Sequence, residues 1–174
     1  MFPFLALIIG VALQALLAGV LTPRAKGWLA FLCGLISLGG VVAAWPGVVA
    51  GRVVDVRFGI WDGPIQLAYH IDGLSLMFAL MGAGIGTAVL LYAVTYMDRE
   101  KGTTRFFSLI LIFIAGLIHL VYTADLFILY LNWELVGLCS FLLVGFWYNQ
   151  PDAAYGARKV FTITHLAGYG LLAR

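Results

Sequence analysis

The strongest constraint on this chain is that its apolar residues lie in long blocks, which short charged segments separate. Blocks of about 20 apolar residues are long enough to cross the hydrocarbon core of a bilayer as helices. The composition agrees, since 63% of the 174 residues are hydrophobic and 10% are charged, against about 45–50% and about 25% in soluble domains. The pattern therefore predicts an all-α polytopic membrane protein.

Six transmembrane helices are predicted, and the chain ends inside the last of them. They cover residues 2–21, 28–49, 74–97, 106–122, 126–148 and 155–174. The first is not a signal peptide, because its basic residues follow the apolar run instead of preceding it. Between the second and third helices, residues of alternating polarity flank the turn-forming "WDGP". This pattern predicts a short β-hairpin on the outer surface, with an irregular loop as the alternative.

The basic residues predict the orientation of the bundle. Seven of the ten Lys and Arg residues lie in the loops after the first, third and fifth spans: Arg24, Lys26, Arg99, Lys101, Arg105, Arg158 and Lys159. Arg52 and Arg57 lie in the opposite set of loops. Because an excess of Lys and Arg marks cytoplasmic loops, the N-terminus is predicted on the outer side. The net charge of +2 is small and dispersed, so no nucleic-acid partner is predicted.

Several smaller motifs favour structural roles. Cys33 and Cys139 have no CxxC or Cys/His spacing, which disfavours a metal or iron–sulfur site and indicates buried apolar residues. Gly82 and Gly86 are four apart in an apolar helix, which favours a close helix–helix contact. Asp72 precedes "GLSL" and is predicted to cap the third helix.

Glu134 is the main candidate for a functional residue. It lies about nine residues into the fifth span, roughly 13 Å below the outer boundary of the membrane. A charged side chain at that depth costs on the order of 2.5–3.5 kcal/mol, and intramembrane ionisable groups usually mark ion or proton pathways. The alternative is a protonated glutamate that only bonds to a neighbouring helix. Gly137 and Gly145 share its face and indicate close packing there.

His165 is the second candidate, because histidine titrates near physiological pH and so can relay protons. Tyr169 lies on the same helical face, and Lys159 precedes the histidine by six residues. For Lys159 a charge at the membrane boundary is the favoured role, and for His165 helix packing is an equal alternative. His119 and Asp125, near the outer ends of their spans, are interpreted as interfacial.

Four segments carry a resemblance to a known family: "DGLSLMFALMGAGIGTAVLLYAVTYM", "RFF", "LYLNWELVGLCSFLLVGFWY" and "KVFTITH". In order and spacing they resemble the N-terminal part of the large antiporter-like subunit of respiratory complex I, called subunit L in bacteria and subunit 5 in mitochondria. That subunit is related to the large subunit of multi-subunit sodium/proton antiporters. The resemblance covers residues 72–165, and residues 1–71 share only the layout of two spans and an outer hairpin. Residues 1–174 are interpreted as one membrane domain, in which the antiporter-like module begins at residue 72.

The resemblance implies a role for Glu134. It matches a family glutamate that pairs with a lysine on a broken seventh helix, and this pair is thought to gate proton movement. It also implies a proton-translocating subunit of an NADH:quinone oxidoreductase complex in an energy-transducing inner or plasma membrane. Partners would be the other membrane subunits, the lipid bilayer and protons. NADH, FMN, iron–sulfur clusters and quinone would belong to partner subunits, with no cofactor, metal or redox centre on this chain.

This sequence departs from the family pattern in two ways. His165 stands where an arginine is frequent, and Gly168 stands where an aspartate is frequent, so the proton route near the sixth span is expected to differ. The chain also stops inside that span and lacks the lysine helix, so a truncated product is expected. The alternative functions are a subunit of a cation/proton antiporter or of another complex with the same module, and a truncated chain that conducts nothing.

Overall fold

A computed structural model describes residues 2–58 and 67–172. The turn "WDGP", residues 61–64, lies outside them. Within the described residues the elements in chain order are the helices α1 Phe2–Leu16, α2 Pro23–Ala43 and α3 Trp45–Val49, the strands β1 Val54–Phe58 and β2 Leu67–Ile71, and the helices α4 Gly73–Tyr96, α5 Thr103–Tyr122, α6 Leu126–Val144 and α7 Pro151–Leu172.

The helices agree with a polytopic membrane protein. Four segments are long and apolar enough to cross a membrane: Pro23–Val49, which joins α2 and α3, and the helices α4, α5 and α6. Helix α1 contributes a shorter apolar segment, Leu5–Leu16. Helix α7 is also long, but it is less apolar than these segments, and Arg158 and Lys159 lie within it. The chain is therefore an integral membrane protein of the predicted all-α class.

Several predicted boundaries were wrong. Helix α1 ends at Leu16, not at residue 21, and the backbone turns before α2. Thr22 caps α2 by accepting from the Ala25 amide, and Pro23 occupies the first turn, where its missing N–H costs nothing. Lys26 consequently lies in a helix and not in a loop. It is buried, and its Nζ donates to the Ala18 carbonyl at 2.7 Å.

The same correction applies around the fifth and sixth spans. Helix α6 ends at Val144 instead of residue 148, and α7 begins at Pro151 instead of residue 155. Pro151 favours a helix start at this point for the same reason as Pro23. Arg158 and Lys159, predicted at the start of the sixth span, therefore lie about two turns inside α7.

The core lies between α1, α2, α4 and α5, which pack against one another. The glycine prediction is confirmed, since a Cβ on Gly86 would lie 2.5 Å from Ile114 and one on Gly82 would collide with Leu117 of α5. Cys33 and Cys139 are buried free thiols, as predicted. Helix α6 packs on α5, and α7 packs on α6. The site therefore forms beside the main core, in the α6–α7 contact.

The loops alternate between the two ends of the bundle. At one end β1 and β2 pair antiparallel, Val54 opposite Ile71, which confirms the predicted hairpin. The hairpin contacts the α5–α6 connection, because the Ala124 amide donates to the Ala68 carbonyl at 2.8 Å. At the other end the first turn of α2 and the α4–α5 connection meet through an ion pair, Arg24 to Asp98 at 2.9 Å.

Candidate functional site

Helix α6 places Glu134 on the face that packs against a neighbouring helix. Asp125 caps the helix by accepting from the Ile128 amide at 3.0 Å, which positions the first turn. Glu134 lies on the face that packs against α7, and its side chain is 22% exposed. The carboxyl group therefore has protein neighbours, as the cost of burying a charge requires.

The neighbour that Glu134 contacts is His165 of α7. The Oε2 atom of Glu134 lies 3.1 Å from Nε2 of His165, whose side chain is 20% exposed. On the other edge of the ring, Nδ1 lies 3.0 Å from the Phe161 carbonyl, one turn earlier. The Phe161 ring lies over the imidazole with a centroid distance of 3.9 Å. The structure thus brings together two of the residues that the sequence selected.

These contacts restrict where the protons of the pair are. A carbonyl oxygen only accepts hydrogen bonds, so Nδ1 must have a proton and donate it to Phe161. The bond between Nε2 and Oε2 then needs one more proton. That proton lies on the carboxyl group when both residues are neutral, or on Nε2 when the pair is a carboxylate and an imidazolium. Moving one proton along a 3.1 Å contact interconverts the two states.

Two glycines allow the helices to approach at this point. A Cβ on Gly137 would lie 3.0 Å from Cγ2 of Thr164. A Cβ on Gly168 would collide with Oε1 of Glu134. That Oε1 atom is buried and makes no hydrogen bond of good geometry among the described residues, although the Tyr130 hydroxyl lies near the carboxyl group. The carboxyl group therefore has one oxygen on His165 and one that faces the backbone of α7.

The other two predicted relay residues differ in position. Tyr169 lies close enough to Tyr130 to interact electrostatically with it, and Tyr130 also interacts with Glu134. Tyr169 is thus at the edge of the site, although 60% of it is exposed. Lys159 is exposed and forms no hydrogen bond or ion pair with the part of the chain described here. The structure therefore does not bring Lys159 to Glu134.

A second polar cluster was not predicted. His119 of α5 lies 2.5 Å from the Tyr69 hydroxyl of β2 and 3.0 Å from Oδ1 of Asn132 in α6. His119 thus lies in a hydrogen-bond network, one turn before the end of α5, that the sequence did not reveal. The available signal was Asn132, an amide inside the apolar run that contains Glu134.

The fold and this site define a class, the polytopic membrane subunits with an ionisable pair between two helices. Residues 60–107 match the family described as the N-terminus of chain 5 of NADH-ubiquinone oxidoreductase, complex I. Residues 123–173 match the transmembrane family described as NADH:quinone oxidoreductase/Mrp antiporter. The chain belongs to this family of antiporter-like complex I subunits.

Individual relatives agree with this assignment. The chain is 37% identical over 108 residues to subunit 5 of the chloroplastic NAD(P)H-quinone oxidoreductase of Adiantum capillus-veneris. It is 38% identical over 111 residues to the same subunit of Ceratophyllum demersum. These alignments cover 62% and 64% of this chain but only 15% of each relative.

A solved structure shares the fold. A chain in the structure of the membrane-bound sulfane sulfur reductase, an archaeal respiratory membrane complex, matches with a TM-score of 0.81 and 20% sequence identity. The match covers 99% of this chain and 26% of that one. At this identity the likeness concerns the fold alone.

Proposed function

We propose that residues 1–174 are part of a proton-translocating membrane subunit of an NADH:quinone oxidoreductase-type complex. Glu134 and His165 form its proton-transfer site. The observation behind this role is the contact of 3.1 Å between Oε2 of Glu134 and Nε2 of His165. Because the opposite ring nitrogen is engaged with a carbonyl oxygen, a single proton separates the neutral pair from the ion pair. Such a pair can take up a proton on one side and release it on the other.

The environment of the second carboxyl oxygen supports a further cationic partner from outside this chain. Oε1 of Glu134 is buried and makes no hydrogen bond of good geometry among the described residues, and a buried acceptor in this condition costs about 1–3 kcal/mol. A lysine ammonium group within about 4–6 Å would stabilise the carboxylate. It would also draw the shared proton away from Glu134 and toward His165. The switch proposed here is therefore a glutamate between a histidine and a lysine.

The setting of this subunit follows from the same proposal. It lies in an energy-transducing inner or plasma membrane, with its N-terminus on the outer side, and it binds other membrane subunits of the complex. NADH, FMN, the iron–sulfur clusters and quinone are assigned to those partners. Translocase activity then belongs to the assembled complex, and this chain supplies the path for protons. Tyr169 is a candidate relay at the edge of the site, and Lys159 is a weaker one because it lies apart from the pair.

The decisive experiment replaces Glu134 by Gln in the full-length subunit within its complex. The amide keeps the size of the carboxyl group but cannot release a proton, so we expect proton pumping to fall about tenfold or more. Pumping is measured with a pH-sensitive dye in liposomes, and assembly is checked on native gels. The matched control is Glu100→Gln, the other glutamate of the chain, which lies in the exposed α4–α5 connection. Pumping at the wild-type rate in Glu134→Gln would refute the proposal.

A cation/proton antiporter subunit is the second candidate, because the family matched by residues 123–173 includes Mrp antiporters. The two functions differ in their driving reaction. In a respiratory complex pumping requires electron transfer to quinone, whereas an antiporter acidifies or alkalinises vesicles in response to a sodium gradient alone. Proton movement driven by sodium in the absence of an electron donor would favour the antiporter.

A further inference from the structure

A cavity of about 540 Å³ lies between α1, α5 and α6, on the side of α6 away from Glu134. Its walls are mostly aliphatic, and the three polar side chains that line it are Tyr69, His119 and Asn132. Asn132 and Glu134 are two residues apart, so about 200° of helical rotation separates them. The cavity and the Glu134–His165 pair are therefore on opposite faces of one helix.

The hydrogen bonds fix the proton on one nitrogen of His119. Nδ2 of Asn132 donates to the Ile128 carbonyl at 2.7 Å, which leaves Oδ1 as an acceptor. Oδ1 lies 3.0 Å from Nδ1 of His119, so Nδ1 must donate. In the neutral ring Nε2 is then an acceptor, and the Tyr69 hydroxyl donates to it over 2.5 Å. Burial raises the pKa of Tyr69, so this hydroxyl retains its proton at neutral pH.

The same arrangement accepts a second proton on the ring without losing a bond. When Nε2 is protonated it becomes a donor, and the Tyr69 oxygen has lone pairs to accept from it. Nδ1 continues to donate to Asn132. Both protonation states of His119 are thus fully hydrogen-bonded. A histidine with only a packing role would not need a partner that can both donate and accept a hydrogen bond.

Tyr69 also lines a second cavity, at the hairpin end of the bundle. That cavity is about 420 Å³, and its side chains are mostly polar: Asp55, Arg57, His70 and Asp125 line it beside Tyr69. His70 is exposed and bonded to Asp55 at 2.7 Å. Helix α1, by contrast, contributes only aliphatic residues to the lining of the first cavity, next to His119. The hairpin and the start of α6 supply the charged residues that line the second cavity, and Tyr69 borders both cavities.

We infer that His119 is a second proton-exchange site and that Tyr69 connects it to the hairpin end of the protein. A hydronium ion in the polar cavity at the hairpin end gives a proton to the Tyr69 oxygen. At the same time the original hydroxyl proton passes to Nε2 of His119. The reverse transfer returns one proton to water, so charge and atoms balance with no redox partner. This site rests on the proposed function, because it matters only in a subunit that moves protons. It serves exchange with the outer side, away from Glu134 and His165.

Chemical rescue distinguishes proton exchange from a structural role. We expect His119→Ala in the full-length subunit to lower proton pumping about tenfold. Imidazole added from the hairpin side should restore several-fold of this loss, because the cavity has room for the small base. The control is Glu100→Gln, whose exposed side chain lies at the other end of the bundle and which should pump normally. Pumping that is lost and not rescued, or not lost at all, would overturn the inference.

A second variant covers the case in which His119→Ala does not assemble. Tyr69→Phe keeps the ring and removes only the hydroxyl that connects His119 to the cavity at the hairpin end. We expect it to assemble and to pump several-fold more slowly, and a normal rate would overturn the inference. Glu134→Gln is measured in the same preparation. If that variant pumps normally while the His119 result holds, the proposed site at Glu134 fails and this one stands.

Discussion

Gly168 allows the carboxyl group of Glu134 to lie directly against the backbone of α7. A side chain here would displace Oε1, and the family aspartate that the resemblance places at this position would add a second negative charge beside it. Glycine and His165 together therefore define a local variant of the site: one helix supplies both the space for the carboxyl group and the base that contacts it.

We expect Gly168→Ala to disturb the pair without unfolding α7. The new Cβ would push the end of the glutamate side chain, which rotates easily, away from its position beside His165. A shift of about 1 Å at a reacting group can cost up to about 10²-fold in rate, so we expect proton pumping to fall roughly tenfold. The measurement is pumping by the full-length subunit in liposomes.

The control for this variant is Gly170→Ala in the same helix. A Cβ on Gly170 meets nothing within 4 Å. Both substitutions raise helix propensity by about 1 kcal/mol, so any difference between them comes from the contact with Glu134. Equal pumping by the two variants would show that the position of Oε1 is unimportant.

The helix cap at Asp72 makes the stability of the fold depend on pH. Its carboxylate accepts from the Ser75 amide at 2.8 Å, and the Ser75 hydroxyl bonds back to the Asp72 amide at 2.9 Å. The bonds from Ser75, first of all from its backbone amide, lower the pKa of Asp72 below its ordinary value. A lowered pKa in the folded state means that this capping contribution is present above the ordinary pKa of about 3.9 and is lost as the pH falls through the folded value.

We therefore expect Asp72→Asn to flatten the acid dependence of stability. Asparagine also caps helices well but does not titrate in this range. Thermal unfolding in detergent, followed by circular dichroism between pH 7 and pH 3, should show a smaller loss below pH 4 in the variant than in the wild type. Parallel curves for the two proteins would mean that the cap does not contribute to the acid sensitivity.

At the level of elements, the close packing of α4 on α5 depends on a glycine on the face of α4 that contacts α5. Gly86 lies against the Ile114 side chain, whereas a Cβ on Gly84 would meet nothing within 4 Å. We expect Gly86→Ala to be about 1–3 kcal/mol less stable than Gly84→Ala, because overpacking costs this much while both variants gain the same helix propensity. Unfolding in mixed micelles measures the difference. Equal stability would show that α5 moves aside without cost.

The elements also show how far sequence reasoning extends. The cap at Asp72 was predictable because its partner, Ser75, is three residues away. The position of Glu134 in the middle of α6 was predictable because the apolar run that forms the helix is visible in the sequence. Its contact with His165 was not, since the rotation of α7 against α6 depends on the space left by Gly137 and Gly168.

Interactions across several elements were missed for the same physical reason. The His119 network joins β2, α5 and α6, and no spacing within one element reveals it. Just past the end of α1 at Leu16, the Ala18 carbonyl accepts a hydrogen bond from Lys26 of the next helix. Tertiary contacts of this kind override the length of the apolar run, which by itself suggested a longer helix.

For the whole molecule, the interactions between loops separate two chemically different ends. One end has the β-hairpin and the polar cavity beside Tyr69. At the other end Arg105 donates to the Phe146 carbonyl at 2.8 Å, and Trp147 donates to Glu100 at 3.3 Å. These contacts place the basic connections on one side of the bundle. The assignment of that side to the cytoplasm follows from the excess of Lys and Arg alone.

Cysteine labelling tests this orientation in the full-length protein. Cys33 and Cys139 are buried and would be replaced by alanine for a cysteine-free background, into which Arg52→Cys or Gln150→Cys is introduced. Both positions are exposed, and they lie at opposite ends of the bundle. A membrane-impermeant maleimide applied to intact cells should label Arg52→Cys at once and Gln150→Cys only after the membrane is opened. The reverse pattern would place the hairpin and the His119 site on the cytoplasmic side.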